Sequence, residues 1–342
     1  MKILITGMNK NQVTKDFYLR QQLKVVPSHY SLIKCLEDMG HEVEQRNVTL
    51  GEDLYKYEKV IVFLASPRQL TVGNFYHGLW SIYNRPDCIL AFDDWQINDI
   101  FKGLENISDT LFNDFTMNNF LSFNKKYTDG KIRKYKEIFL EALDIIKSKK
   151  NRILISAFKG GDLSKLINYP KELLYTYNPN PYHLNKIANN IEPENKIKSF
   201  NFASLVQSKT KKWLKKQNIT KWTIEYFGSR KDKQRRLVEE DMCNVFGEQW
   251  ACLMPGYDNS GSGWWRARPL QVADANSILI GEPSELMLYY NDEKLSNIKA
   301  CDVENMTIDE LKETAKLQKE AIYRTNPLDK KIQQDEINKI LN

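Results

Sequence analysis

The chain has 342 residues, of which 42% are hydrophobic and 27% are charged, and its formal net charge is +6. Because domains usually contain about 100–200 residues, this length predicts two compact domains. No stretch reaches the ~18–20 apolar residues that a membrane-spanning helix needs. The first seven residues, MKILITG, have the pattern of a core strand and not of a signal peptide. We therefore expect an intracellular protein with no membrane partner.

Cysteine and histidine usage argues against the common metal and disulfide scaffolds. The five cysteines are an odd number and are scattered, with no CxxC pair. A disulfide framework or a zinc ribbon is therefore not expected. The four histidines lack the spacing of metal ligands, which argues against a metallohydrolase. We predict no metal-binding residues.

Charge is distributed unevenly along the chain. Residues 121–220 contain 21 basic and 8 acidic residues, a balance of +13, whereas the rest of the chain has a balance of −7. Such a basic segment favours a polyanionic partner, for example nucleic acid. The alternative is a set of solvated helix faces in a chain that is rich in lysine and asparagine.

The first half of the chain alternates predicted strands with predicted helices. Apolar runs predict strands within 2–8, 41–48, 57–66 and 88–94, and the runs VIVFLA from Val60 and CILAF from Cys88 are the strongest. Continuous apolar runs are typical of parallel strands that are buried on both faces. Helical periodicity over 30–39 ends at Gly40, a common residue after a helix. This alternation predicts a doubly wound α/β sheet.

A second alternating unit follows. A helix over 131–147 and a strand over 152–158 complete the first unit, and the stretch 168–194, rich in proline and asparagine, predicts a linker. The later pattern predicts strands over 197–204, 223–228, 250–255 and 277–281, and helices near 209–216, 231–246 and 268–275. The polar tail, 307–342, predicts helices interrupted near Pro327.

Two adjacent carboxylates follow the strand that begins at Cys88. Asp93 and Asp94 would point in opposite directions on an extended segment, so that one could face a cleft while the other caps the next turn. A carboxylate in a cleft is suited to deprotonating a hydroxyl nucleophile. The alternative is that both serve only to begin a helix near Trp95.

Two stretches of the second unit are candidate anion sites. The segment FASLVQSKTKK joins a strand to a helix at 202–212, where backbone amides, hydroxyls and lysines can bind phosphate. It contains neither GxGxxG nor a Walker loop, and a plain cationic helix is the alternative. Further along, a loop of serines and glycines leads into Arg266 and Arg268, whose side chains suit a diphosphate. Trp264 and Trp265 beside them fit a sugar or base platform, or interface packing.

Four stretches carry a resemblance to a known family. They are Val26-Pro27-Ser28 with the later Asp38-Met39-Gly40, residues 57–66 with Phe92-Asp93-Asp94, residues 224–229 with 231–234, and Arg268-Pro269-Leu270-Gln271-Val272-Ala273. In these stretches the chain resembles the T-even-type phage DNA β-glucosyltransferases, whose relatives include arabinosyltransferases. The resemblance implies an α/β fold with two facing Rossmann-like domains (GT-B) and an interdomain cleft.

The resemblance also implies a domain organisation. Residues 1–168 would form the acceptor and DNA side, 169–195 a linker, 196–305 the UDP-sugar-binding domain, and 306–342 C-terminal helices that pack back toward the first domain. The protein would be a monomer in the cytoplasm of the infected bacterial host.

The resemblance assigns the expected site residues to four roles. The catalytic base would be Asp94. The donor and its diphosphate would be bound by Ser204, Gln207, Ser208, Lys209, Arg266, Arg268 and Gln271. The nucleotide base would lie beside Tyr226, Phe227, Gly228 and Gly256. The sugar and acceptor side would contain Pro27, Ser28, His29 and Asp93. The co-substrate would be a UDP-sugar, with Mg²⁺ or Mn²⁺ as a further expectation.

The chain departs from the family pattern on the donor side. The family's early glutamate falls near His29, the ribose-binding glutamate becomes Gln271, and the arginines of the phosphate loop are not retained. These departures fit a different UDP-sugar, and arabinose is the first candidate beside glucose. The expected acceptor is 5-hydroxymethylcytosine in double-stranded DNA. The alternatives are a glycosyltransferase acting on a small molecule or glycan, and a non-catalytic DNA-binding protein.

Overall fold

A six-stranded parallel sheet forms the first half of the protein. The computed structural model describes residues 1–7, 28–49, 51–64, 74–92, 132–156, 169–177, 192–203, 208–227, 245–255, 267–325 and 329–342. The strands of this first sheet are β1 (Lys2–Thr6), β2 (Glu42–Gln45), β3 (Lys59–Phe63), β4 (Ile89–Phe92), β5 (Ile153–Ser156) and β6 (Leu174–Tyr177). They run in the order β2-β1-β3-β4-β5-β6, and every pair is parallel.

Helices cover both faces of the first sheet. They are α1 (Ser28–Asp38), α2 (Asn74–Asn84), α3 (Ile132–Lys147) and α10 (Lys330–Leu341). Leu79 of α2 and Phe139 of α3 pack in one core cluster, and Leu32 of α1 and Ile337 of α10 pack in the other. Because both faces are covered, the central strands are apolar at nearly every position, as the sequence predicts.

The second half is built on a smaller parallel sheet. Its strands are β7 (Ile197–Ala203), β8 (Thr223–Phe227), β9 (Gln249–Met254) and β10 (Ile278–Gly281), in the order β10-β9-β7-β8. Its helices are α4 (Ser208–Lys216), α5 (Ala267–Asp274), α6 (Pro283–Tyr290), α7 (Glu293–Ser296), α8 (Ala300–Val303) and α9 (Ile308–Thr325). Leu270 of α5 packs on one face, and Val303 of α8 on the other. The predicted α/β fold with two parallel sheets is thus confirmed.

The structure differs from the prediction in two elements of the first half. Helix α2 was not predicted, because Gly78 and several aromatic residues weaken its helical signal; the burial of Leu79 and Ile82 against the sheet stabilises it instead. The stretch predicted as a linker, 169–195, begins with sheet structure. Tyr169 belongs to the core, and β6 pairs with β5, so the first sheet continues to Tyr177.

The C-terminal helices contact both sheets. Helix α9 packs in the core of the second sheet, whereas α10 lies against the first. At the end of α10, the guanidinium of Arg152 donates to the backbone oxygen of Ile340 over 2.7 Å, and at its start Lys330 pairs with Asp38 at 3.1 Å. Among the helices of the described ranges, none is both long and apolar enough to cross a membrane.

One side chain of α9 forms hydrogen bonds with the outer strand of the second sheet. Gln318 of α9 is 1% exposed, and its amide accepts from the Leu279 backbone nitrogen over 2.8 Å and donates to the Leu279 oxygen over 2.9 Å. Because β10 is the last of the described strands of its sheet, these backbone groups have no partner among those strands on that side. The glutamine therefore takes the place of a further strand.

We expect Gln318→Leu to lower the free energy of unfolding by about 2–3 kcal/mol, because it leaves two buried backbone groups without partners. Urea denaturation followed by circular dichroism measures this change. The control is Leu317→Gln on the exposed side of the same helix, for which a change below about 0.5 kcal/mol is expected. An equally small change for Gln318→Leu would show that the amide does not stabilise the sheet edge.

Candidate functional site

The carboxyl ends of the first sheet define one side of the candidate site. Ligands of parallel α/β sheets bind beyond these ends. Strand β4 lies between β3 and β5, and its last residue, Phe92, is buried in the core. The segment with Asp93 and Asp94 therefore leaves the sheet near the middle of its carboxyl edge. Both aspartates lie outside the described residues, so their predicted roles stay predictions.

A glycine that the sequence analysis did not single out shapes this edge. Gly7 follows β1 with a φ of +82°, and a Cβ atom added there would lie 2.3 Å from the backbone oxygen of Phe63. Only glycine permits this close approach between the ends of β1 and β3. Gly7 thus allows the ends of β1 and β3 to approach closely at this edge.

Buried hydroxyls also mark the carboxyl ends of the first sheet. Thr6 ends β1 and Ser156 ends β5, and both side chains are buried with a hydroxyl that has no hydrogen-bond partner among the described residues. The hydroxyl of Ser31 on α1 is in the same condition. Of the predicted sugar-side residues, Ser28 and His29 are the first two residues of α1, whereas Pro27 lies outside the described residues.

The second sheet contains the strand and the helix that were predicted on either side of the candidate phosphate-binding segment. Strand β7 ends at Ala203, and α4 begins with Ser208 and Lys209. A helix N-terminus that follows a parallel strand directs backbone amides toward the carboxyl edge, where anions bind. The other two candidates of this segment, Ser204 and Gln207, lie outside the described residues.

Helix α5 carries two of the predicted donor-binding residues. Arg268 and Gln271 are three residues apart and thus lie on one side of the helix, in its first half. The Arg268 side chain is half-buried, and Gln271 is only 3% exposed. Leu270 and Val272 anchor the same helix in the core. The loop before α5, with Gly256, Trp264, Trp265 and Arg266, lies outside the described residues.

The structure separates the two aromatic residues that were predicted beside the nucleotide base. Tyr226 and Phe227 are consecutive in β8, so their side chains point to opposite faces of the sheet. Tyr226 is 37% exposed, and its ring lies 5.6 Å from the ring of the buried Phe202, on the face of the sheet that α4 covers. Phe227 therefore lies on the opposite face, which α5 covers, and the role of both residues beside the nucleotide base stays a prediction. Gly228, the third residue of this group, lies outside the described part.

A row of exposed lysines follows the phosphate-binding segment. Trp213 and Leu214 of α4 pack against the core, and the Trp213 ring nitrogen donates to the Glu282 carboxylate over 3.0 Å. Four lysines of α4 are exposed, and none of them forms an ion pair within the described part of the chain: Lys211, Lys212, Lys215 and Lys216. This helix therefore presents uncompensated positive charge.

Among the described ranges, no three His, Cys, Asp or Glu side chains lie close enough to hold an ion together. The divalent cation that the sequence analysis expects therefore has no cluster of three such ligands among these residues.

No protein-family model and no curated protein sequence matches the chain. Solved structures do match it. T4 phage BGT in complex with UDP and Mn²⁺ is 15% identical, with 100% of both chains covered and a TM-score of 0.60. T4 phage β-glucosyltransferase, described with its substrate binding and proposed catalytic mechanism, is 14% identical over 100% of both chains, with a TM-score of 0.55.

A further match was determined in the presence and absence of uridine diphosphoglucose and is named a DNA modifying enzyme, β-glucosyltransferase. It is 14% identical, with 100% of this chain and 99% of the other covered and a TM-score of 0.55. At such identities the similarity concerns the fold. Over its whole length, the chain thus shares the two-sheet α/β fold of T4 phage β-glucosyltransferase, the GT-B architecture.

Proposed function

We propose that this protein is an inverting glycosyltransferase that moves a sugar from a UDP-sugar to the hydroxymethyl oxygen of 5-hydroxymethylcytosine in double-stranded phage DNA. The observation that carries the proposal is the match of fold, over both whole chains, to structures described as a DNA modifying enzyme with UDP-glucose and as a complex with UDP and Mn²⁺. The sequence resemblance supports the same activity. The modification would protect the DNA from restriction.

The donor would bind at the carboxyl edge of the second sheet. Arg268, at the start of α5, would hold the diphosphate through bidentate hydrogen bonds, Lys209 would add a donor from the start of α4, and Ser204 would add one from the segment before it. These groups stabilise the negative charge that develops on the departing UDP. Gln271 would bind the ribose, since a neutral amide can both donate to and accept from hydroxyl groups.

The reaction itself would need one base. Asp94 would take the proton of the acceptor hydroxyl while the oxygen bonds to the anomeric carbon of the sugar. The bond from that carbon to the diphosphate oxygen breaks at the same step, and UDP leaves with the electron pair. Attack from the face opposite UDP inverts the anomeric configuration. The position of β4 in the middle of the first sheet supports this role. A divalent cation would help to neutralise the diphosphate; the Mn²⁺ of the T4 phage complex supports this expectation.

The acceptor would be held mainly through its phosphates. The exposed lysines of α4 fit a DNA backbone, and an enzyme that modifies a base within a duplex must flip that base out of the stack, at a cost of a few kcal/mol. A small-molecule or glycan acceptor would make these lysines incidental. A non-catalytic DNA-binding protein would bind DNA but gain no stability from UDP, whereas a real donor site raises the melting temperature.

Incubation of 5-hydroxymethylcytosine DNA with the protein and single UDP-sugars should add one sugar to the modified base, as mass spectrometry of the nucleosides would show. A hexose increment would identify glucose as the donated sugar, and a pentose increment with UDP-arabinose would explain the departures at Gln271 and the phosphate segment. Binding of UDP without any increment would overturn the DNA acceptor and favour the small-molecule or glycan alternative.

Replacement of Asp94 by Asn should lower the transfer rate by about 10²–10⁴-fold, because the acceptor hydroxyl loses its base. UDP affinity, measured by calorimetry, should stay within about twofold of the wild-type value. The matched control, Asp144→Asn on the exposed side of α3, should retain full activity. Transfer at the wild-type rate by the Asp94 variant would remove this residue from the base role.

Simultaneous replacement of Lys211 and Lys212 by Gln should weaken DNA binding equally for all DNA sequences. If both lysines contact phosphates, the slope of log K against log salt should become shallower by about 1.8. Fluorescence anisotropy at several salt concentrations measures this slope. The control is the double variant Lys294→Gln and Lys316→Gln, which removes the same charge elsewhere on the second half. Equal slopes for the two double variants would show that α4 does not contact DNA.

A further inference from the structure

One buried cation lies where the chain enters the second sheet. Lys196 immediately precedes β7 and is 7% exposed. Its ammonium donates to the backbone oxygens of Ala275 and Asn276 over 2.8 and 3.0 Å and to the hydroxyl of Ser277 over 2.7 Å. Within the described residues, no carboxylate forms an ion pair with it. A buried charge with three oxygen acceptors is a specific arrangement, since an ammonium has three N–H groups.

The acceptors belong to the C-terminal end of α5. Asn276 has a φ of +51°, its backbone nitrogen donates to the Ala273 oxygen, and the Ser277 nitrogen donates to the Val272 oxygen. These two bonds are those of a Schellman motif. They leave the oxygens of Ala275 and Asn276 for Lys196, and the ammonium also complements the negative end of the helix dipole.

Further contacts fix the same end of α5. The Ser277 hydroxyl lies 2.5 Å from the Phe246 oxygen and 2.9 Å from the Gln249 oxygen, which ties the turn to the start of β9. From α9, Tyr323 donates to Asp274, and Lys319 donates to the Asn276 side chain over 2.8 Å. Lys196 is the buried centre of these polar contacts.

The opposite end of α5 carries Arg268 and Gln271. Arg268 precedes Ala275 by seven residues, which corresponds to about 10 Å along the helix axis. A tilt of about 10° at the fixed end would therefore displace the arginine by about 2 Å, enough to lose a bidentate contact with a diphosphate. The angle of the helix thus depends on contacts at the end that is remote from the site.

We propose that Lys196 is a positioning residue of the donor site, which acts through α5 by holding Arg268 and Gln271 in place for the diphosphate and ribose of a UDP-sugar. This inference rests on the proposed function. A buried lysine outside the site would thus contribute to the affinity for the donor. This contribution is distinct from its contribution to the stability of the fold.

The protonation state of Lys196 allows its contribution to donor affinity to be separated from its contribution to stability. Burial lowers its pKa to about 8, and a neutral amine has only two N–H groups for the three acceptors. The charged groups on the surrounding elements are Glu194, paired with Lys312; Asp274, bonded to Tyr323; Lys319; and Glu248 before β9.

Donor affinity and stability should change in opposite directions as the pH rises. Above about pH 8 the folded protein loses the Lys196 proton, whereas the unfolded chain keeps it up to about 10.5, so stability rises with pH through this window. Over the same window the loss of one N–H group loosens the end of α5, and UDP affinity should fall. A lysine that only stabilises the fold would produce the first change without the second.

The test uses calorimetric titration of UDP into the full-length protein at pH 7, 8 and 9. The wild type should bind UDP five- to tenfold more weakly at pH 9 than at pH 7. At pH 7, Lys196→Met should bind it at least tenfold more weakly than the wild type, without the further loss at high pH. In transfer assays the KM for the UDP-sugar should rise while kcat stays within about threefold. The matched control is Lys294→Met on the exposed side of α7, with affinity within twofold of the wild type.

Equal UDP affinity in the wild type and Lys196→Met would overturn the inference and leave the proposed function intact. Absence of UDP binding by the wild type would overturn the proposed function and the inference with it. If Lys196→Met does not fold, the wild-type series decides: a UDP affinity that is constant from pH 7 to pH 9 overturns the positioning role, and the expected decrease supports it.

Discussion

Parallel pairing of short buried strands is the constraint on which the rest of this structure depends. Within each sheet, every described strand points in the same direction. Each segment that follows a strand therefore leaves from one common edge. The chain positions after Thr6, Phe92 and Ala203 are distant in sequence, yet hydrogen bonding between strands places each of them at such an edge. Candidate site residues gather there because the backbone directs them there.

Elements whose fold is decided by their own residues could be predicted from the sequence. Strands β3 and β4 are apolar at every position except Lys59 because both faces are covered, and α3 has a continuous apolar side. Helix α2 and strand β6 could not be predicted, since other parts of the chain decide them. Helix α2 contains Gly78 and depends on burial against β3, and β6 is a half-buried edge strand of four residues with prolines and asparagines near it.

The candidate site likewise contains features that the sequence predicts and features that only the folded structure identifies. The three-residue spacing of Arg268 and Gln271 on a helix could be predicted, because it depends only on helix geometry. The roles of Lys196 and Gln318 could not. The partners of Lys196 are two backbone oxygens and a hydroxyl 79–81 residues away in sequence, those of Gln318 are backbone atoms 39 residues away, and neither residue belongs to a motif. A buried polar side chain that serves remote backbone groups leaves no spacing signal, and only the folded structure identifies it.

The polar C-terminal tail, which the sequence analysis described only as interrupted helices, contacts the second sheet and α5 through α9 and the first sheet through α10. Helix α9 closes the edge of β10 through Gln318 and holds the end of α5 through Tyr323 and Lys319. Only residues 326–328 separate its last described residue from the segment that leads into α10, whose apolar side packs on the first sheet. The helix that carries Arg268 and the sheet that carries the Asp94 segment are therefore joined by one short stretch of chain. A displacement of α9 would therefore act on α5 and on the attachment of α10 to the first sheet together. The polar character of the tail follows from this position, because both helices lie on the surface and bury only one side.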